Sequence, residues 1–148
     1  MAINTGKVVV GGLVAGLIMN VSGFVVQGML LGPRMMAEMA AVAPSLANMQ
    51  AGGGEIAGRV LTQFAVGIML VWMYAAMRPR FGPGPKTAMI SAAIVWIFGF
   101  LFYLDWLYAG MMTPVTYAIV SLVMIVTLAI AAWAGCMLYK EEGAQAPQ

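Results

Sequence analysis

The stretch that decides the fold is WLYAGMMTPVTYAIVSLVMIVTLAIAAWAGCMLY, residues 106–139. It carries no charge and is too long for one membrane crossing, which takes about 20 apolar residues. Gly110, Met111, Met112, Thr113 and Pro114 divide it. Pro114 suits the first turn of a new helix and cannot continue an old one. The stretch therefore reads as the end of one span and the whole of another, 115–139. Working outward, the preceding span covers 87–109. A second runs over 57–77, ending at Arg78, and the first over 8–31. The expected fold is an all-α integral membrane protein, a single transmembrane domain with four transmembrane helices.

Composition supports this reading. Of 148 residues, 63% are hydrophobic and 8% charged, and the mean hydropathy is +0.94. A soluble domain carries about 25% charged residues. Seven Lys and Arg against five Asp and Glu leave a net charge of +2, which excludes a nucleic-acid partner. With no His and one Cys, the chain lacks disulfide frameworks, Cys/His zinc sites and His-based acid–base catalysis. It has no CxxC, Walker loop, nucleotide fingerprint or paired carboxylates. The expectation is a protein that is not an enzyme and holds no cofactor or metal.

Orientation follows from the cations. With the N-terminus inside, the inner segments carry Lys7, Arg78, Arg80, Lys86 and Lys140, and the outer ones only Arg34 and Arg59. That asymmetry predicts N-in, C-in. The first run is too long for a signal h-region and reads as an uncleaved span. Trp72, Tyr74, Trp133 and Tyr139 fall near inner ends, and Tyr103, Trp106, Tyr108 and Tyr117 near outer ends, as interfacial belts require. Trp96 sits deeper. The inner loop RPRFGPGPK (78–86) is basic and stiffened by prolines. In the long outer loop, Pro33 starts and Pro44 ends a short amphipathic helix. It carries Met35, Met39 and Val42 at helical spacing, with Arg34 and Glu38 one turn apart. NMQAGGGE (48–55) reads as a flexible joint and residues 141–148 as a disordered cytoplasmic tail.

The first span places Gly12, Gly16, Asn20, Gly23 and Gln27 on one face. Small residues there let a neighbouring helix approach closely, and amides hydrogen-bond between helices. The last span offers Ser121, Ala129, Ala132 and Gly135, interrupted by Ile125. Both faces are expected inside the bundle or against a partner subunit.

The candidate site is an outer polar cluster. Asp105 lies one turn inside its span, Arg59 begins the second span, and Gln63 is one turn deeper on the same face. Gln27 and Ser121 complete the set. A carboxylate at membrane depth costs on the order of 2–3 kcal/mol and usually has a partner. Two readings stand: an outward-opening cavity in which Asp105 binds a cation, proton or polar ligand, or an Arg59–Asp105 pair with amides as glue. Met35, Met36, Met39, Met111 and Met112 are soft ligands that suit Cu(I). Met is equally a pliable apolar filler, and no metal site is assigned. Cys136 reads as a small apolar residue.

GFVVQGMLLGPRMMAEM (23–39) and YAAMRPRFGPGPKTA (74–88) resemble a loose group of small four-helix bacterial membrane proteins. The resemblance implies the fold and no activity. The chain differs from the small multidrug-resistance transporters, which place a Glu in the first span where this sequence has Asn20. It also lacks the polar catalytic residues of the small four-helix glutathione transferases. The expected role is an accessory or structural subunit of a larger complex in a bacterial inner membrane. Its expected partners are the lipid bilayer and other membrane subunits or a second copy of itself. The competing expectation is a small homo-oligomeric transporter or channel built around Asp105.

Overall fold

A computed structural model describes residues 3–46 and 52–139. The tail expected at 141–148 and the first half of the joint at 48–55 lie outside the described residues. Among the described residues, five α-helices follow in order: α1 (Thr5–Ser22), α2 (Gly32–Val42), α3 (Gly53–Phe81), α4 (Pro85–Tyr108) and α5 (Pro114–Met137). α1 continues as a π-helical segment, Gly23–Leu30, and a single 3-10 turn, Pro44–Leu46, follows α2. Four helices of the described residues are long and apolar enough to cross a membrane: Thr5–Leu30, Gly53–Phe81, Pro85–Tyr108 and Pro114–Met137.

Helix starts follow local chemistry. Asn4 caps α1, its side chain accepting from the Lys7 N–H at 3.0 Å. Glu55 reaches back to the Gly52 N–H at 3.2 Å to open α3. Pro85 and Pro114 stand in the first turns of α4 and α5. α3 runs beyond the apolar stretch that ends at Met77, through Pro79 to Phe81. Pro79 is close enough to the helix end that its missing N–H costs a single bond. The basic segment 78–86 is therefore largely helical. The free turn is Gly82, Pro83 and Gly84, whose glycines take φ of 79° and 130°, conformations that favour Gly.

α1 lies along both α3 and α5, and α4 closes the bundle against α5 and α3. Glycines set the spacing. A Cβ on Gly12 would strike the Ile68 backbone, and one on Gly16 would meet the Phe64 Cα at 2.7 Å. One turn further, the Asn20 side-chain amide donates to the carbonyls of Val60 at 3.3 Å and its own Gly16 at 2.9 Å. Each step of four along α1 thus meets a step of four back along α3. Gly67 fills the notch between Gly12 and Gly16, and Gly11 packs on Gly135 of α5. Ser22 and Thr127 share a hydrogen bond of 2.7 Å between α1 and α5. Ala15, Leu70, Val71, Ala131 and Ala132 fill the centre with no exposure.

The first span winds differently at its end, and one detail of the α5 face changes. The π-helical segment takes one more residue per hydrogen-bonded turn, with the Leu31 N–H bonding the Val26 carbonyl at 2.9 Å. Gln27, on this segment, is half-buried like Asn20 and Gly23. In α5 the inward stripe runs through Val120, Ser121, Leu128, Ala131, Ala132, Gly135 and Cys136. Ile125 is exposed and does not interrupt it, and Ala129 sits at the stripe's margin.

Candidate functional site

The two ends of the bundle differ. Asn4, Gly84 and Tyr139 mark the terminal end, and α2 marks the other. Among the described residues, Lys7, Arg78, Arg80 and Lys86 stand at the terminal end. Arg34, Glu38, Glu55, Arg59 and Asp105 stand toward the α2 end.

No side-chain hydrogen bond or ion pair joins the five members of the polar cluster read from the sequence, among the described residues. Asp105 is exposed on α4 and Arg59 is exposed on α3. The ion pair formed among the described residues is Arg34–Glu38, and Arg59 and Asp105 form none together. Arg59 instead lies within electrostatic range of Tyr103. Gln63 is half-buried, with its amide nitrogen facing Gly23. Gln27 is half-buried on the π-helical segment and makes no side-chain hydrogen bond to the other four. Ser121 is buried, and its carbonyl accepts from the Trp96 indole N–H at 3.0 Å. That bond explains the depth of Trp96, whose N–H needs a partner away from water. Phe100 stacks on Trp96 at 5.1 Å and on Tyr117 at 5.2 Å, and the Tyr117 hydroxyl donates to the Phe100 carbonyl at 3.2 Å.

A polar knot that sequence reading missed lies at the α2 end. Glu38 accepts from the Thr113 N–H at 2.9 Å, the Thr113 hydroxyl at 2.9 Å and the Thr116 hydroxyl at 2.6 Å. Its own helix adds the Arg34 Nε at 3.1 Å. Thr113 is the N-cap of α5, so Glu38 places a carboxylate on the positive end of that helix from outside it. Desolvation raises the Glu38 carboxyl, but the bonds from the Thr113 N–H, Thr116 and Arg34 outweigh it and lower its pKa from 4.5 to about 2. The knot ties α2 to the α4–α5 turn, beside Met111 and Met112. Met112 is buried in that turn, whereas Met36 is exposed on α2. The visible signal was Thr-Pro-Val-Thr, a capping pattern, but nothing local to it names an acid 75 residues away.

The terminal end holds an arginine between two tyrosines. The Arg78 guanidinium sits 5.9 Å from the Tyr74 ring and 5.3 Å from the Tyr139 ring. The rings meet edge to face at 6.1 Å. Tyr74 and Tyr139 are buried, so they belong to the core, while Trp72 and Trp133 are about half exposed. The Tyr74 hydroxyl accepts the Gly84 N–H at 3.1 Å, and the Tyr139 hydroxyl accepts the Asn4 N–H at 3.3 Å. The Thr87 hydroxyl donates to the Gly82 carbonyl at 2.7 Å and fixes the other side of the glycine turn. A cavity of about 240 Å³ opens here, lined by Tyr74, Arg78, Gly84, Trp133, Cys136 and Tyr139 among others.

Comparison with protein-family models, curated proteins and solved structures returned no match.

Proposed function

We propose that this chain is a non-catalytic integral membrane protein that serves as an accessory or structural subunit of a larger membrane assembly. In this reading it lies in a bacterial inner membrane with both termini in the cytoplasm and α2 on the outer face. The gathering of Lys7, Arg78, Arg80 and Lys86 at the terminal end supports that orientation.

One observation carries the subunit role. Asp105 is exposed on the flank of α4, one turn inside an apolar helix, and forms no ion pair among the described residues. A carboxylate there costs on the order of 2–3 kcal/mol until it meets a cation or water. On the outer flank it is placed to meet a group from a neighbouring chain. The glycine seams supply the complementary property, a bundle close-packed enough to act as a rigid part. Large apolar side chains such as Phe24, Leu61 and Phe98 remain exposed for lipid or partner.

The test is native mass. The protein, tagged at its C-terminus, is extracted gently from its own membrane. The expected result is migration with other subunits in fixed ratio, and a loss of that association in Asp105→Asn. Migration alone, as a monomer or small homo-oligomer, overturns the reading. Asp105 would then pass to the competing one, a small transporter or channel, in which Asp105→Asn abolishes transport.

A further inference from the structure

Two segments at the α2 end carry paired methionines. α2 has Met35 and Met39, and the turn between α4 and α5 has Met111 and Met112. A step of four places Met35 and Met39 on one face of α2. That face is turned to the bundle: Met35, Glu38 and Met39 are half-buried, whereas Met36 and Ala37 are exposed. Glu38 accepts, at 2.9 Å, from the N–H of the peptide bond that joins Met112 to Thr113. One carboxylate thus sets the methionine pair of α2 beside the pair of the turn. Met111 is half-buried, and Met112 is buried apart from the central core. Met19, Met89 and Met124 pack in or against that core as fillers, and these four do not.

Thioethers are soft, uncharged donors that favour Cu(I) over hard cations. A methionine side chain has three rotatable bonds, so its sulfur can turn toward a shared point while the backbone stays in place. The frame around the four is fixed. Gly110 takes a φ of 74°, its N–H bonds the Leu107 carbonyl at 3.0 Å, and the Met111 N–H bonds the Trp106 carbonyl at 3.0 Å. The hydroxyls of Thr113 and Thr116 hold Glu38 from the other side. A frame already ordered loses little freedom on binding. Charge agrees as well. The Glu38 carboxylate is engaged by four donors and is not itself a ligand, but its negative charge beside the sulfurs favours a monovalent cation.

We propose that Met35, Met39, Met111 and Met112 form a thioether site for a soft monovalent cation, Cu(I), at the α2 end. The proposal rests on the way Glu38 ties α2 to the turn and is independent of the subunit reading.

The test uses the full chain in detergent. Ag(I) serves as a redox-inert probe in native mass spectrometry, and Cu(I) is offered from a chromogenic chelator under reducing conditions. The expected result is a single Ag(I) retained per chain and Cu(I) drawn from the chelator, with no retention of Zn(II), a harder cation. Met35→Leu with Met39→Leu, and Met111→Leu with Met112→Leu, are each expected to abolish retention. Leu and Met are close in volume, so the fold persists. If a double variant melts early without metal, the single variants Met35→Leu and Met111→Leu decide in its place. Glu38→Gln keeps every thioether but loosens the tie, and is expected to weaken Cu(I) binding about tenfold. Met36→Leu, on the far face of α2, and Cys136→Ala, at the terminal end, are expected to bind as the wild type does. A wild type that retains no Ag(I) overturns the proposal. So does equal weakening in Met36→Leu and the paired variants, which would mean scattered thioether binding. Loss of binding in Cys136→Ala overturns it too, by assigning the metal to the thiol.

Discussion

At Glu38 one carboxylate accepts from a backbone N–H and two hydroxyls at the start of another helix, while its own helix contributes Arg34. Hydrogen bonds to charged groups contribute about 1.5–3 kcal/mol each when buried, and less at a partly wet site such as this. Glu38→Gln keeps an acceptor but loses the charge, and is expected to cost about 1–2 kcal/mol in detergent melts. The pH dependence has a definite sign. The folded carboxyl is held at about 2 against 4.5 unfolded, so its stabilisation is complete above pH 4.5 and fades as pH falls from 4.5 toward 2. The melting temperature of the wild type should drop across that window more steeply than that of Glu38→Gln. Parallel curves would show that the bonds do not hold in solution.

The contact between α1 and α3 is an affair of backbones. Gly67→Ala adds one methyl against the Gly12 carbonyl and the Gly16 nitrogen, the latter at 2.5 Å, where neither flexible side chain nor void can absorb it. Such overpacking typically costs about 1–3 kcal/mol. Gly58→Ala, in the same helix, meets nothing within 4 Å and should gain up to about 1 kcal/mol of helix propensity. Thermal melting of the two variants checks both signs at once. Two losses would mean that α3 tolerates no change, and two gains would mean that the seam is loose. The seam was partly legible: Gly12, Gly16 and Asn20 stand at helical spacing in the sequence. Gly11 and Gly67 were not singled out, because in lipid both faces of a helix are apolar and periodicity does not separate inside from outside. The π-helical winding at Gly23–Leu30 left no mark in the residue pattern.

For the molecule as a whole, long apolar runs bounded by charges made the four helices able to cross a membrane readable, since helix length and hydrocarbon thickness are tied by geometry. The polar contacts between helices were not readable, because each joins residues far apart in the chain. Arg59 and Asp105 look paired in a linear list, yet they stand exposed on separate helices without an ion pair. Tyr74 and Tyr139 look like belt residues and are core. The whole-molecule prediction concerns topology. If Arg78, Arg80 and Lys86 set the orientation, then Arg80→Glu with Lys86→Glu should populate inverted chains. Reporter fusions at the C-terminus, read from both sides of the membrane, would detect this. An unchanged single orientation would assign topology to the first span alone.

The bond between Asn4 and Tyr139 and the packing of Gly11 on Gly135 join the first helix to the last. During synthesis this sets a schedule. α1 can seat against α3 as soon as Gly67 has entered the bilayer, but its remaining groove stays open until α5 arrives. At roughly 5–20 residues per second, that interval lasts several seconds. For that time a bare glycine surface faces the insertion machinery and any membrane chaperone at hand. A ribosome stalled within α4 would release a chain whose first helix is still waiting for its last neighbour.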